Sequence, residues 1–142
     1  MRFTIRPIRV TGYHGTTRPR SANILEEGFT ISQKPWEWLG HGVYFWQDAP
    51  YRAHAWARDW TRQRGIEGEP VVVAAELQLE SYLDFLDVAN TDILRPLAIK
   101  FLETLGEGAV ALKNKYPNHR LDCRFFNFVS EVLESGDDRS GP

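Results

Sequence analysis

At 142 residues and a net charge of −2, the chain has the length of one domain and lacks the overall basicity of a general nucleic-acid binder. Its apolar content of 42% is enough for a buried core, yet no apolar run reaches the ~20 residues that a membrane-spanning helix needs. Its lone cysteine, Cys123, excludes an internal disulfide and a cysteine-based zinc site; with no signal-peptide h-region in view, a soluble cytoplasmic protein is expected.

Charge is uneven along the chain. Arg2, Arg6, Arg9, Arg18 and Arg20 crowd the N-terminus, while Glu131, Glu134, Asp137 and Asp138 lie near the C-terminus. Both runs read as solvated surface.

In chain order, Phe3, Ile5, Ile8 and Val10 predict a strand interrupted at Pro7. Val10 to His14 reads as a strand end broken by Gly15. Ser21 is expected to cap a short helix through Glu27, with Ile24 and Leu25 inward and Gly28 as its stop. Phe29 and Ile31 alternate briefly. Gln33 to Gly42 is an aromatic, Pro- and Gly-containing loop. Val43-Tyr44-Phe45-Trp46 is a β-type run, after which Asp48 is expected to cap a helix with Pro50 in its first turn. Ala53, Trp56, Ala57 and Trp60 form an apolar helical stripe that fades near Arg64-Gly65. Val71 to Leu77 is a buried-type strand, and Tyr82 to Phe85 a short one. Pro96 to Leu105 and Leu121 to Val132 predict two amphipathic helices. The reading is an α+β class, one domain over residues 1–134 and a flexible polar tail over residues 135–142.

Two short elements carry chemistry. In Tyr13-His14-Gly15-Thr16-Thr17, a histidine at a strand end presents its ring, and a glycine exposes its backbone N–H and C=O to a close ligand. A carboxamide needs such a donor–acceptor pair, and Thr16 and Thr17 add hydroxyls. Alone, this element reads as a turn with a structural histidine. The second element, Gly40-His41-Gly42, feeds into Val43-Tyr44-Phe45-Trp46. There Tyr44 offers a flat ring, while Phe45 and Trp46 read as core. His41, His54, His119 and His14 share no metal-ligand spacing, so no metal is expected. Cys123 beside Asp122 lacks a nearby histidine base and reads as a buried inert thiol.

Together the two elements resemble the ADP-ribosyltransferase superfamily, in its His-Tyr-Glu class of diphtheria-like toxins and poly-ADP-ribose polymerases. The likeness covers Val10 to Ala57, about a third of the chain. It implies a split two-sheet α+β fold with NAD, as substrate, in a cleft between the sheets. It assigns His14 to the adenosine-side ribose, the Gly15 backbone to the nicotinamide amide and Tyr44 to stacking on the nicotinamide ring. Cleaving the nicotinamide–ribose bond creates an oxocarbenium-like centre, so the chemistry asks for an oriented leaving group and a carboxylate near the ribose.

The chain departs from the pattern at two places, the second tyrosine and the glutamate. Where many members carry a second tyrosine, this sequence has Ala55, with Trp56 beside it as an alternative stacking wall or a core residue. Arg18 and Arg20 are the candidates to meet the NAD pyrophosphate. The glutamate that the family carries on a late strand has no clear counterpart: Glu131 is the candidate but lies on a predicted helix, and Glu76 lies in the strong strand. A truncated or split form, lacking the strand that bears this carboxylate or receiving it from another chain, is therefore expected.

The resemblance implies transfer of ADP-ribose from NAD to a protein or nucleic acid, as in bacterial toxins and anti-phage effectors, with a cognate antitoxin as a further partner. Two other readings are an inactive domain that binds NAD or a partner, and an RNA 2′-phosphotransferase-like enzyme.

Overall fold

A computed structural model of the protein describes residues 7–107, 112–116 and 118–137. The chain is a mixed α+β protein with antiparallel sheets. It divides into two compact units, a division with no sign in the sequence. Among the described residues, a sheet unit comprises those up to Thr30 and Val43–Tyr82; a helical unit comprises Ile31–Gly42 and those from Leu83 onward.

The sheet unit is organised by β1 (Ile8–Thr17), the middle strand of a three-stranded sheet ordered β2-β1-β3. It pairs antiparallel with β3 (Pro70–Leu79) along its whole length, from Ile8↔Leu79 to Thr17↔Pro70. The β-branched run Val71-Val72-Val73 suits such a strand. Gly15 therefore does not break β1 as expected: it sits opposite Val72 in the ladder. Its missing side chain is used by a helix. A methyl group on Gly15 would overlap the Ala53 carbonyl oxygen and lie 3.1 Å from Ala57 Cβ.

That helix is α2 (Pro50–Arg64), which ends at Gly65 in the left-handed region, φ 60°. It starts after Ala49, and Asp48 does not cap it. Ala53, Ala57 and Thr61, spaced one turn apart, are its buried residues. The expected stripe holds for the alanines, whereas Trp56 is 45% exposed and Trp60 half-buried. A helix whose backbone touches a strand accommodates only small residues in the contact, so the indoles lie on its flank.

α1 (Arg18–Glu27) begins before Ser21, with Thr17 as the flanking residue and proline in its first turn. Ser21 instead donates its hydroxyl to the Arg18 carbonyl at 2.7 Å. Leu25 is exposed rather than inward, and Gly28, at φ 89°, is the stop. Of the run Val43 to Trp46, Trp46 alone enters a strand, the short β2 (Trp46–Gln47), which pairs with Gly12 and Tyr13 of β1. Tyr82 to Phe85 forms no strand.

In the helical unit, α3 (Val88–Leu105) starts well before Pro96, because Asp87 accepts the Ala89 N–H at 3.0 Å and caps it there. A short hairpin of β4 (Asn114–Lys115) and β5 (Asn118–His119) precedes α4 (Arg120–Asp137). Asn114 Oδ1 accepts from Leu121 N and Asp122 N, at 3.0 and 3.1 Å, satisfying first-turn donors of α4. Phe101 of α3 packs on Phe125 and Phe128 of α4, centroids 5.5 Å apart in each pair. α4 continues through Asp137, into the segment expected as a tail. Residues 138–142 of that tail, and Phe3 and Ile5 of the expected first strand, lie outside the described residues. Among the described residues no helix is long and apolar enough to cross a membrane.

The Gly15–α2 contact makes a measurable demand. Gly15→Ala is expected to lower unfolding stability by about 1–3 kcal/mol through overpacking, read as a lower urea midpoint. Gly42→Ala, with nothing within 4 Å of the added methyl, is expected to stay within about 0.5 kcal/mol of the parent.

Candidate functional site

Strand parity decides what β1 presents and where. In an antiparallel strand one residue directs both N–H and C=O to one neighbour, and the next residue directs both to the other. Asp48 N donates to Thr11 O at 3.1 Å on the β2 edge, and Arg18 N donates to Glu69 O at 2.9 Å on the β3 side. Thr11, Tyr13 and Gly15 therefore address the β2 edge. Pairing on that edge ends at Tyr13↔Trp46, so Gly15 aims its N–H and C=O at the next position along it. Side chains alternate in the other direction: Gly12 and His14 share one face, and Gly15 opens to the opposite face, where α2 lies.

His14 Nδ1 lies 2.8 Å from the Tyr44 carbonyl oxygen. The carbonyl only accepts, so the ring donates from Nδ1, and Nε2 of the neutral ring is an acceptor. The imidazole also packs edge-on to Phe29, centroids 5.4 Å apart, and tilted on Phe45 at 5.8 Å. Phe29 and Phe45 close the group at 5.0 Å. The two chemistry-bearing elements, 30 residues apart at His14 and Tyr44, thus meet through a defined hydrogen bond. Phe29 is the participant that the sequence placed only in a brief alternation. Its single signal was an aromatic residue directly after the Gly28 stop.

Other residues singled out from the sequence are used differently. Thr16 and Thr17 are buried, 3% and 1% exposed, rather than presented at the surface of the unit. This follows from β1 continuing, paired, through both. Arg18 donates from Nε to Glu69 at 2.7 Å on the surface. The hydrogen bond and the opposite charge raise the Arg18 pKa and lower that of Glu69. The Arg20 guanidinium lies 5.0 Å from the centre of the Trp60 ring. Trp56 stacks on Trp60, centroids 5.4 Å apart and 13° from parallel, on the helix that covers the Gly15 face and not the His14 face. Glu76 stands opposite Thr11, on the face away from His14, and pairs with Arg9 at 3.1 Å. Glu131 is an exposed residue of α4, in the helical unit, where its carbonyl accepts the Ser135 hydroxyl at 2.7 Å.

Gly40-His41-Gly42 also belongs to the helical unit. Gly40 adopts φ 84°, and a Cβ there would meet Asn127 Oδ1 at 2.6 Å; that oxygen accepts the His41 N–H at 2.8 Å. The close approach read from these glycines is thus to a side chain of α4. Ser32 and Gly42 form an isolated bridge that closes the loop, and the Ser32 hydroxyl donates to Glu37. Cys123 is 1% exposed, and burial pushes its thiol pKa up, in keeping with an inert thiol. Among the described residues no group of three or more His, Cys, Asp or Glu is arranged to hold a metal.

The Arg18–Glu69 pair predicts a pH dependence. Because the folded-state Glu69 pKa is lowered, its contribution is present above the ordinary glutamate range and is lost as pH falls through the depressed value. Glu69→Gln is therefore expected to lower the melting temperature slightly at neutral pH and to match the parent in acid. Added salt is expected to shrink the neutral-pH difference, because both groups are exposed.

No family model matches the chain, and no solved structure matches it. An uncharacterized protein of Methanocaldococcus jannaschii is similar to it, 28% identical over 102 residues that cover 68% of this chain and 46% of that protein. The chain thus spans about half the length of this curated relative.

Proposed function

We propose that the sheet unit is an ADP-ribosyltransferase-like site for NAD, and that the protein transfers ADP-ribose to a macromolecular target with release of nicotinamide. In this reading the β2-β1-β3 sheet is one of the two sheets of the split fold. The observation that carries the reading is the 2.8 Å bond from His14 Nδ1 to the Tyr44 carbonyl, which holds the two halves of the motif together. The residues fit the substrate in two further respects. Gly15 offers one N–H and one C=O along the same edge, the complement of a carboxamide. His14, donating from Nδ1, keeps an acceptor nitrogen for a ribose hydroxyl. NAD supplies the activated glycosidic bond; the chain supplies orientation of its two ends.

A second reading is a domain that binds NAD, or a partner, without turnover. One observation favours it: Glu76 and Glu69 of the sheet unit pair with Arg9 and Arg18, and Glu76 faces away from His14. A phosphotransferase-like reading needs basic groups converging on a phosphate beside His14, whereas Arg18 is paired with Glu69 and Arg20 lies beside Trp60 of α2, the helix on the Gly15 face.

The test is incubation of the full-length protein with NAD labelled in the nicotinamide and, separately, in the adenylate half. Transfer predicts free nicotinamide and adenylate label on cell protein or nucleic acid. His14→Ala and Tyr44→Ala are expected to reduce both by about 100-fold, the scale of lost substrate positioning. NAD binding without nicotinamide release selects the second reading, and neither binding nor release contradicts both. A 2′-phosphotransferase would place the ADP-ribose on a phosphate removed from RNA. As a toxin, the protein is expected to arrest growth on expression, with His14→Ala relieving the arrest.

A further inference from the structure

The outer flank of α2 carries a surface that the His14 site does not use. Arg52, Trp56, Trp60 and Arg64 follow one another at intervals of four residues, so they form one row along the helix. The two indoles are stacked, 5.4 Å apart and 13° from parallel. Arg20 of α1 places its guanidinium 5.0 Å from the Trp60 ring, and Arg52 lies 5.5 Å from the ring of Trp46. Trp56 is 45% exposed. A stacked pair uses one face of each ring, so the second face of Trp56 remains a flat apolar platform at the surface.

Charge narrows the partner. In a chain of net charge −2, α2 carries Arg52, Arg58, Arg62 and Arg64 against one carboxylate, Asp59, which pairs with Arg58 at 3.2 Å. The flank bearing the indoles is thus locally cationic. Indoles in isolation would suit any apolar partner, and arginines in isolation any anion. A stacked indole pair with one exposed face, flanked by guanidinium groups along one line, matches a chain that carries both flat rings and phosphates.

We propose that the Arg52-Trp56-Trp60-Arg64 row, with Arg20, is a docking surface for single-stranded nucleic acid. A base stacks on the open face of Trp56, and the neighbouring phosphates lie against Arg52 and the arginines beyond Trp60. A duplex keeps its bases stacked inside and offers no ring to Trp56, so the surface selects single strands. Local charge supplies the attraction that the net charge lacks. This inference stands whether or not the sheet unit turns NAD over.

The test is fluorescence anisotropy of labelled oligothymidylate titrated with the full-length protein at low salt. Binding is expected to weaken steeply with salt, and Arg52→Ala to reduce the log–log salt slope by about one. Trp56→Ala is expected to weaken binding about fivefold or more, while Trp56→Phe, which keeps an aromatic face, retains most of it. Trp38→Ala, at a 56% exposed tryptophan of the helical unit, serves as the control that leaves binding unchanged. Unchanged binding by Trp56→Ala would overturn the proposal, as would absence of binding or equal affinity for the matching duplex. Equal competition by polyglutamate would also overturn it, and would assign the patch to an acidic protein partner.

Discussion

The Ala53 carbonyl oxygen of α2 lies where a side chain on residue 15 would be, and the sheet unit is arranged around that contact. A strand in contact with a helix backbone needs glycine at the contact and small residues on the helix, and Ala53 and Ala57 are fully buried there. The ten-residue ladder between β1 and β3 keeps β1 extended through Gly15 despite the conformational freedom of glycine. Together these constraints set the parity of the strand. Gly15 turns its open side to α2, and His14, one residue earlier, projects from the other face.

Parity then explains why the two short motifs meet. His14 emerges on the face that holds Phe45, and its ring reaches the chain at Tyr44 just before β2 begins. Phe29 and Phe45 restrict the imidazole from two sides, and the Tyr44 carbonyl sets which nitrogen carries the proton. A histidine so held has its ring ordered by the fold itself. The same packing leaves the Gly15 backbone directed at an edge where strand pairing has already stopped.

Much of the sheet unit was legible in the sequence, because its signals are local. The Val71-Val72-Val73 run, the Ala53/Ala57 repeat and the Gly28 and Gly65 stops act through residues close in the chain. The errors arose where a distant partner decided the outcome. Gly15 reads as a strand breaker until Val72 pairs with it, and Trp56 reads as core until Gly15 draws the small side of α2 inward. Pro96 reads as a helix start, but the Asp87 cap begins α3 earlier. In the candidate site, His14 and Tyr44 were visible as motif residues, whereas Phe29 was visible only in a brief alternation and its role comes from its contact with His14. In the helical unit, the contact of Asn127 with His41 had no signal in the sequence.

His14 and Tyr44 are joined through an Nδ1–H donor. Long-range nitrogen–proton NMR correlations of the four histidine rings, assigned with His14→Phe, test it directly at a pH where the ring is neutral. His14 is expected to be protonated at Nδ1, with that proton protected from exchange, and bare at Nε2. A His14 ring protonated at Nε2, or one averaging rapidly between both tautomers, would contradict it.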